Sequence, residues 1–317
     1  MKKHKILITG SLGLVGSACV DLFTVKGWDV TGVDANKRAD FFGTSRQWKA
    51  GTWAIDIRDE KAVRDVFVTQ GPFDAIIHAA GQPSHDWATN HVLEDFDTNA
   101  RGTVILLEAY RAHSPLATFI HVSTDKVYGE NMSGVGEGFD EHLGLDFAGK
   151  RSFFGCSKTA ADVYAQEYMN YLRLPIGIFR PGCITGKNHQ GAPMHGFLAY
   201  IAKCVREGIH YTINGFNGRV VRDQIHASDL AEAFWHFIQS PKPGVYNIGG
   251  GPERAISVME AIHAFEKLYK KDASYEISPT HRPGDREWDV IDCTKFRLAY
   301  PEWQYRWSLQ DILNDFI

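Results

Sequence analysis

Three glycines at three-residue spacing, Gly10, Gly13 and Gly16, follow a run of apolar and β-branched residues at 6–9. The run is typical of a buried strand, and an apolar helical pattern starts directly after it. In such a strand, turn and helix, the first glycine makes the turn, the second lets the backbone approach an anion, and the third lets helix and strand pack closely. Free N–H groups at the helix N-terminus then attract phosphate. The stretch therefore predicts a site for the pyrophosphate of a dinucleotide.

A carboxylate follows in the place that such a site requires. A second strand is predicted over 28–33 and ends at Asp34, eighteen residues beyond Gly16. A carboxylate there accepts hydrogen bonds from the adenosine ribose hydroxyls and repels a 2′-phosphate, which favours NAD over NADP. Lys37 and Arg38 are the only features that point to NADP, and ordinary surface charges explain them equally well.

Further polar and small residues follow the next predicted strands. Asp56 closes a short strand, where it can accept a hydrogen bond from the adenine amino group. The small residues at 79–81 leave room for a cofactor to lie on the backbone. A later strand over 118–124 ends in the hydroxyls of Ser123 and Thr124. The sequence thus places candidate cofactor contacts after several strands in succession.

Composition excludes several classes of protein. The 317 residues carry a net charge of −4 with a pI near 6.4, so no basic face for nucleic acid or an anionic membrane is indicated. No apolar run approaches the length of a membrane span. Five cysteines without metal-ligand pairing suit reduced thiols, which predicts a cytoplasmic protein. The fourteen histidines show no ligand spacing, so no metal site is predicted.

Strands alternate with helices along the chain. This alternation predicts an α/β fold, a Rossmann-type doubly wound parallel sheet with a smaller C-terminal substrate-binding lobe. Residues 1–180 form the predicted NAD-binding Rossmann domain, to which 220–250 return with a helix and a strand. Residues 181–219 and 251–317 are assigned to this smaller lobe, which would bind the substrate.

A second motif starts at Ser123-Thr124-Asp125-Lys126-Val127-Tyr128-Gly129 and continues about thirty residues later with Phe153-Phe154-Gly155-Cys156-Ser157-Lys158. Here the chain resembles the extended short-chain dehydrogenase/reductase family, specifically its nucleotide-sugar epimerases and dehydratases. The family motif is Tyr-x-x-x-Lys, with both side chains on one helix face. The resemblance implies that the tyrosine takes a proton from a sugar hydroxyl. Lys158 would bind the nicotinamide ribose and lower the phenol pKa, since a charge about 4 Å away is worth about three pKa units at an effective dielectric of about 20.

The chain departs from this motif at the catalytic position, because Phe154 stands four residues before Lys158. Phenylalanine fills the space without a titratable group, so general-base catalysis from this position is lost. Two interpretations follow. Either the chain is an engineered variant that traps a bound sugar, which the otherwise intact motif favours, or it is a natural homologue with lost or re-routed activity. Tyr128, the nearest other phenol, is expected to serve packing.

The residues after Ser123 separate branches of the family. Dehydratases carry Thr-Asp-Glu there, because a second acid must protonate the leaving hydroxyl, whereas this chain has Thr124-Asp125-Lys126. That signature, together with Gln82 after a glycine, is similar to the CDP-tyvelose (CDP-paratose) 2-epimerases. The sequence at 179–183 differs from the one usual in these 2-epimerases, so the identity of the sugar is left open. The alternatives are a UDP-sugar 4-epimerase and a non-catalytic NAD-binding sensor.

The resemblance implies a mechanism and a set of site residues. Hydride passes from C2 of a CDP-sugar to NAD, the ketone turns over in the site, and the hydride returns to its other face. Arg222 and Arg282 match positions that hold the diphosphate, and Asp285 would meet the sugar or the nucleotide ribose. The catalytic positions are Thr124, Asp125, Lys126, Phe154 and Lys158, and the substrate-binding positions are Gln82, Thr124, His195, Arg222, Gln224, Arg282 and Asp285.

The glycine motif and the resemblance together define the cofactor site and an assembly. A homodimer through the two long helices predicted over 92–113 and 154–171 is implied by the resemblance. The residues predicted to bind NAD are Gly10, Leu12, Gly13, Leu14, Val15, Gly16, Asp34, Asp56, Ile57, Ala79, Ala80, Gly81, Asn99, Ser123, Lys158 and Pro181.

Overall fold

Strands of the chain form one large parallel sheet and two small ones. The computed structural model describes residues 3–37, 47, 51–130, 138–145, 152–186, 188–191, 196–280 and 285–317. In chain order the strands in these ranges are β1 (Lys5–Thr9), β2 (Asp29–Asp34), β3 (Thr52–Ala54), β4 (Ala75–His78), β5 (Thr118–Val122), β6 (Ile176–Pro181), β7 (Cys183–Thr185), β8 (Tyr211–Asn214), β9 (Val221–His226), β10 (Gly244–Ile248), β11 (Ala255–Ser257), β12 (Tyr275–Ser278) and β13 (Trp288–Asp289).

Helices connect most of these strands. Several begin at side-chain caps, among them the longest, where the Ser152 hydroxyl accepts from the N–H of Gly155. The helices in the described ranges are α1 (Leu14–Val25), α2 (Glu60–Gln70), α3 (His85–Asn90), α4 (Val92–Phe96), α5 (Gly102–His113), α6 (Phe153–Asn170), α7 (Phe197–Glu207), α8 (Ala227–Gln239), α9 (Val258–Tyr269), α10 (Thr294–Ala299) and α11 (Leu309–Asn314).

The long helix predicted over 92–113 is interrupted. A π-helical turn, Asp97–Arg101, joins α4 to α5 and carries Asn99. Such turns are inserted where a local contact outweighs regular α-helical hydrogen bonding. The second long helix, predicted over 154–171, is confirmed as α6.

The large sheet is doubly wound. Its seven strands lie in the order β10-β6-β5-β4-β1-β2-β3 and pair in parallel throughout. The order reverses between β1 and β4, so a crevice opens there at the carboxyl ends of the strands, where α/β folds bind ligands. One face packs a core that includes Phe23 and Phe234, and the other a core that includes Phe67 and Leu106. The predicted Rossmann-type sheet is confirmed.

The lobe contains two small sheets. Strands β11, β9 and β13 lie side by side, with β7 paired to β9, while β12 pairs with β8. A third core forms beneath them from α7, α9 and α11, and it includes Leu198, Phe265 and Ile312.

Two boundaries differ from the predicted division of the chain. Strand β9 lies at the start of the segment 220–250, but it pairs within the lobe, and only α8 and β10 return to the large sheet. Helix α10 lies within 251–317, but Phe296 packs with Phe179 and Tyr246 in the core of the large sheet. Both exceptions follow from partners that are distant in sequence.

Truncation of Phe296 tests whether this C-terminal helix belongs to the large core. Phe296 is fully buried, so Phe296→Ala should lower the free energy of unfolding by about 3–5 kcal/mol, measured by urea denaturation. Leu298 on the same helix is 77% exposed, and Leu298→Ala should change it by less than about 0.5 kcal/mol. Equal effects of the two variants would contradict the packing described.

Candidate active site

A cleft of about 710 Å³ lies between the carboxyl edge of the large sheet and the lobe. Loops after β1, β2, β4, β5 and β6 form one wall, and residues of β7, α7 and β9 line the other. The predicted residues that line it are Gly10, Gly13, Leu14, Val15, Gly16, Asp34, Asp56, Ile57, Ala79, Ala80, Gly81, Gln82, Ser123, Thr124, Asp125, Lys126, Phe154, Lys158, Pro181, Arg222, Gln224 and Asp285.

The glycine loop forms a cradle that side chains would fill. Gly10 has a φ of +67°, and a Cβ there would lie 2.7 Å from the carbonyl oxygen of Ala79. A Cβ on Gly16 would lie 2.0 Å from the carbonyl oxygen of Gly10. Gly13 is the N-cap of α1 and has no side chain to cover the first-turn N–H groups. These groups and the helix dipole favour an anion at this point of the cleft.

Asp34 is held at the tip of β2 by two backbone groups. Its carboxylate accepts hydrogen bonds from the N–H of Leu12 at 2.9 Å and of Asn36 at 2.6 Å. Each carboxylate oxygen can accept more than one hydrogen bond, so the group can still receive ribose hydroxyls. Leu12 itself is buried and is not among the cleft-lining residues, so it positions Asp34 from behind.

Asn99 supports the cleft from behind instead of facing it. Its side chain lies in the π-helical turn, accepts from the N–H of Gln82 at 2.8 Å and donates to the carbonyl of Gln82 and to the hydroxyl of Ser157. It also donates to Asp95 at 3.0 Å. The expectation of a direct cofactor contact is therefore replaced by a buried network that fixes the backbone of Gln82. The sequence could not predict this role, because it depends on a hydrogen bond between residues 17 positions apart in the chain.

Lys158 is buried and lines the cleft. Its Nζ donates to the carbonyl of Val122 at 2.7 Å, and burial lowers the pKa of Lys158 to about 8. Ser123, just beyond Val122, donates to Asp162 at 2.5 Å, and Arg180 pairs with the same carboxylate. These contacts fix the end of β5 against α6. The Thr124 hydroxyl donates to Asp125 at 3.1 Å and caps the turn that follows.

Phe154 lies one helical turn before Lys158 and lines the cleft. The imidazole of His85, also in the cleft wall, packs against it with ring centroids 4.7 Å apart. His85 Nδ1 shares a hydrogen bond of 2.8 Å with the hydroxyl of Ser152, the N-cap of α6. Sequence reasoning missed His85, because the pairing depends on how the loop after β4 folds against α6. A histidine shortly after β4 is the only signal that the sequence offers.

Tyr128 serves packing, as expected. Its hydroxyl donates to Asn247 at 2.7 Å and accepts from Arg180 at 3.0 Å. Burial raises the pKa of Tyr128 to about 12. The phenol is therefore a poor base and is not among the residues that line the cleft.

A buried charge cluster joins the sheet edge to the lobe. Lys126 donates to Asp125 at 2.9 Å and to Asp289 at 2.5 Å, and Arg286 pairs with both carboxylates. Burial opposes the charged form of Lys126, but the two carboxylates outweigh this effect and raise its pKa. Lys126 is thus held as a cation by two carboxylates, and its predicted catalytic role stays a prediction. Sequence reasoning missed Arg286 and Asp289, which lie one and four residues beyond Asp285.

Arg222 lies at the edge of this cluster and lines the cleft. Its guanidinium pairs with Asp285, lies 3.6 Å from Asp289 and donates to the carbonyl of Val221. Asp285 lines the cleft and pairs with Arg222, and its predicted contact with the sugar or the nucleotide ribose stays a prediction. His195 and Arg282 lie outside the described residues, so their predicted roles stay predictions.

The comparison of the sequence with known families identifies the chain. A profile described as the NAD dependent epimerase/dehydratase family matches residues 6–249. The chain belongs to this family. The match spans the glycine cradle, the Lys158 helix and strand β10.

Individual relatives of the family cover nearly the whole chain. It is 28% identical to CDP-paratose 2-epimerase of Salmonella typhi, over 97% of this chain and 96% of that protein. It is 30% identical to UDP-glucose 4-epimerase of Yersinia pestis, over 98% and 95% of the two chains. The fold matches that of Thermus thermophilus UDP-glucose 4-epimerase, solved in complex with NAD, with a TM-score of 0.84, 23% identity and 98% coverage of both chains.

The residues of this family member fit a dinucleotide. The glycine cradle has room for backbone contact with a pyrophosphate but not for side chains. Asp34 lies at the strand end where an adenosine ribose belongs, and Lys158 lines the same cleft. No group of three His, Cys, Asp or Glu is placed to hold a metal ion in the described part of the chain. No helix there is both long and apolar enough to cross a membrane.

A buried carboxyl behind the substrate wall gives the protein a pH-dependent stability. Asp223 lies between Arg222 and Gln224 and accepts from the N–H groups of Gly251 and Ile291. Burial raises the pKa of Asp223 to about 7. Below the ordinary carboxyl pKa, the group is neutral in both folded and unfolded chains. As pH rises to about 7, the unfolded chain ionises more readily, so the folded state loses stability.

Asp223→Asn removes this loss. The variant should gain stability relative to the parent as pH rises from about 4 to 8, by up to about 4 kcal/mol, in urea denaturation at each pH. Asp272→Asn, at an exposed carboxyl, controls for the loss of one charge. A difference between parent and Asp223→Asn that does not vary with pH would contradict this assignment.

Proposed function

We propose that the protein epimerises a nucleotide diphosphate sugar with NAD as a resident cofactor. One juxtaposition carries the proposal: the glycine cradle, Lys158 and Arg222 line a single cleft. The glycine cradle binds a dinucleotide. On the opposite wall, Arg222 offers charge-assisted hydrogen bonds to a diphosphate. A carbinol held between them would lie beside the hydroxyl of Thr124.

The roles of the chain's own residues follow from their positions. The N-terminus of α1 binds the cofactor pyrophosphate, and Asp34 accepts from its ribose, which selects NAD over NADP. Lys158 holds the nicotinamide ribose, and Thr124 orients the sugar hydroxyl. When bound, NAD accepts hydride from the sugar carbon and later gives it back. Arg222 binds the diphosphate and must share or release Asp285 as the substrate enters.

The position of epimerisation is proposed as C2 of a CDP-sugar. Lys126 supports this choice, because its ammonium is committed to Asp125 and Asp289 and no glutamic acid stands there to expel a hydroxyl. The similarity to CDP-paratose 2-epimerase agrees with it. A UDP-sugar 4-epimerase is the second candidate, favoured by the 30% identity to the Yersinia pestis enzyme. A non-catalytic NAD sensor is the third, and Phe154 is the feature that favours it.

Restoring the phenol tests the enzymatic proposal. Phe154→Tyr places a phenol one turn from Lys158, whose charge lowers the phenol pKa, so the variant should turn over its sugar at least as fast as the parent. Parent and variant would be incubated with CDP-paratose and with UDP-glucose, and epimer formation followed by chromatography. Conversion of CDP-paratose alone supports the 2-epimerase, and conversion of UDP-glucose alone supports the 4-epimerase. Binding of NAD without conversion of either sugar by either protein supports the sensor.

A homodimer is proposed through a helical apolar patch, formed by Leu93, Phe96, Phe153 and Tyr164. These side chains are exposed on α4 and α6, two helices that pack against each other. Exposed apolar clusters of this kind mark protein interfaces. The helices are those that the family resemblance assigned to the dimer.

Charge substitution in the patch tests the dimer. Leu93 is 81% exposed, and Leu93→Glu would bury a carboxylate in the interface, so sedimentation velocity should show a shift from dimer to monomer. Leu116 is 94% exposed and belongs to neither of the two helices, so Leu116→Glu should leave the dimer intact. A monomeric parent protein, or dissociation by Leu116→Glu alone, would contradict the proposal.

A further inference from the structure

We propose that His85 serves as the general base for the sugar hydroxyl in this chain, in place of the absent phenol. The inference rests on the proposed function and extends it to a residue outside the Tyr-x-x-x-Lys motif. It follows from three contacts of one imidazole ring. The ring lines the cleft, packs against the side chain that replaces the tyrosine, and is bonded at Nδ1 to the N-cap of α6.

The position of the ring suits proton transfer. Its centroid lies 4.7 Å from that of Phe154, so the imidazole is a neighbour of the place where a phenol would act. An apolar ring at 154 cannot take a proton, while an imidazole has a pKa of about 6.5 in water, close to the ideal for a general base near neutral pH. The imidazole of His85 can thus supply the base that is lost with phenylalanine at position 154.

The hydrogen bond to Ser152 is one that the base-competent tautomer of His85 can make. The Ser152 hydroxyl oxygen already accepts from the N–H of Gly155, and its second lone pair can accept from Nδ1–H of His85. In this tautomer the basic lone pair is on Nε2. Because Ser152 is the N-cap of α6, the same serine connects the imidazole to the helix that carries Lys158.

Other groups in the cleft are less suited to the task. Lys158 donates to the carbonyl of Val122, and Asp125 is committed to Lys126 and Arg286. His189 also lines the cleft, but on the lobe wall near Gly196 and not against Phe154.

The proposed step balances. The sugar O–H bond breaks and its proton passes to Nε2 of neutral His85, while bound NAD would accept the hydride that leaves when the C–H bond at the same carbon breaks. A ketone and an imidazolium result. On the return, hydride reaches the opposite face of the ketone, and the imidazolium gives its proton to the oxygen. Both His85 and the dinucleotide end as they began.

Removal and chemical rescue of the imidazole test the proposal. In the full-length protein loaded with NAD, His85→Ala should lower the turnover of CDP-paratose or UDP-glucose, whichever the parent converts, by about 100-fold or more. NAD affinity, measured by calorimetry, should not change. Free imidazole in the assay should restore at least a tenth of the lost rate, because it can enter the space and accept the proton. A purely structural role gives no such rescue.

Matched variants decide between outcomes. His91→Ala, at the other end of α3, should keep the parent turnover. His85→Ala combined with Phe154→Tyr should regain turnover, because the phenol replaces the imidazole. Full activity of His85→Ala, or imidazole rescue of His189→Ala instead, overturns the assignment. An inactive parent with an active Phe154→Tyr variant also overturns the assignment of His85, but this result agrees with the proposed function. Inactivity of every variant on both sugars overturns the proposed function, and the role of His85 with it.

Discussion

The backbone contact between Gly10 and Gly16 sets the geometry of the nucleotide half of the molecule. A Cβ on Gly16 would lie 2.0 Å from the carbonyl oxygen of Gly10, so no other residue permits helix α1 to approach the strand so closely. The same approach brings Gly10 against the backbone of Ala79, at the end of β4. Strands β1 and β4 flank the reversal of strand order, so the approach of Gly10 to Ala79 joins the two halves of the sheet at the point where the crevice opens.

Charge, rather than close backbone packing, holds the opposite wall. A buried cluster of ion pairs connects the end of β5 to the C-terminal part of the lobe. In it, both Lys126 and Arg286 pair with Asp125 and Asp289. Removing such groups from water is costly, so the cluster is stable only because cations and anions are matched. Arg222 extends it into the cleft through its pair with Asp285. A diphosphate would add negative charge there, and its affinity depends on how readily this pair rearranges.

Phe154 stands in surroundings that keep the contacts of a proton-transfer site. Lys158 is buried and bonded to the carbonyl of Val122, and Ser123 is bonded to Asp162, which pairs with Arg180. The surrounding polar groups are therefore satisfied without a phenol. This explains how the fold accommodates an apolar ring at 154, next to the imidazole of His85 that we propose as the base.

Local sequence determined the dinucleotide half. The glycine spacing, the strand before it and Asp34 at the next strand end are fixed by backbone geometry within some thirty residues, so their pattern alone predicts the cradle. The alternation of strands and helices likewise predicts the doubly wound sheet, because each element carries its own periodicity. Lys158 was found from a motif of four-residue spacing on one helix.

Tertiary structure decided the remaining contacts, because they join segments far apart in the chain. Strand β9 pairs with strands of the lobe, although the helix and strand that follow it in the chain belong to the large sheet. Asn99 forms hydrogen bonds with the backbone of Gln82 and does not line the cleft. Asp285 faces Arg222 across 63 residues, and His85 meets Ser152 across 67. No periodicity or local motif encodes such pairs. They arise only when the loops at one sheet edge are brought together, and they determine how polar groups in the cleft are satisfied.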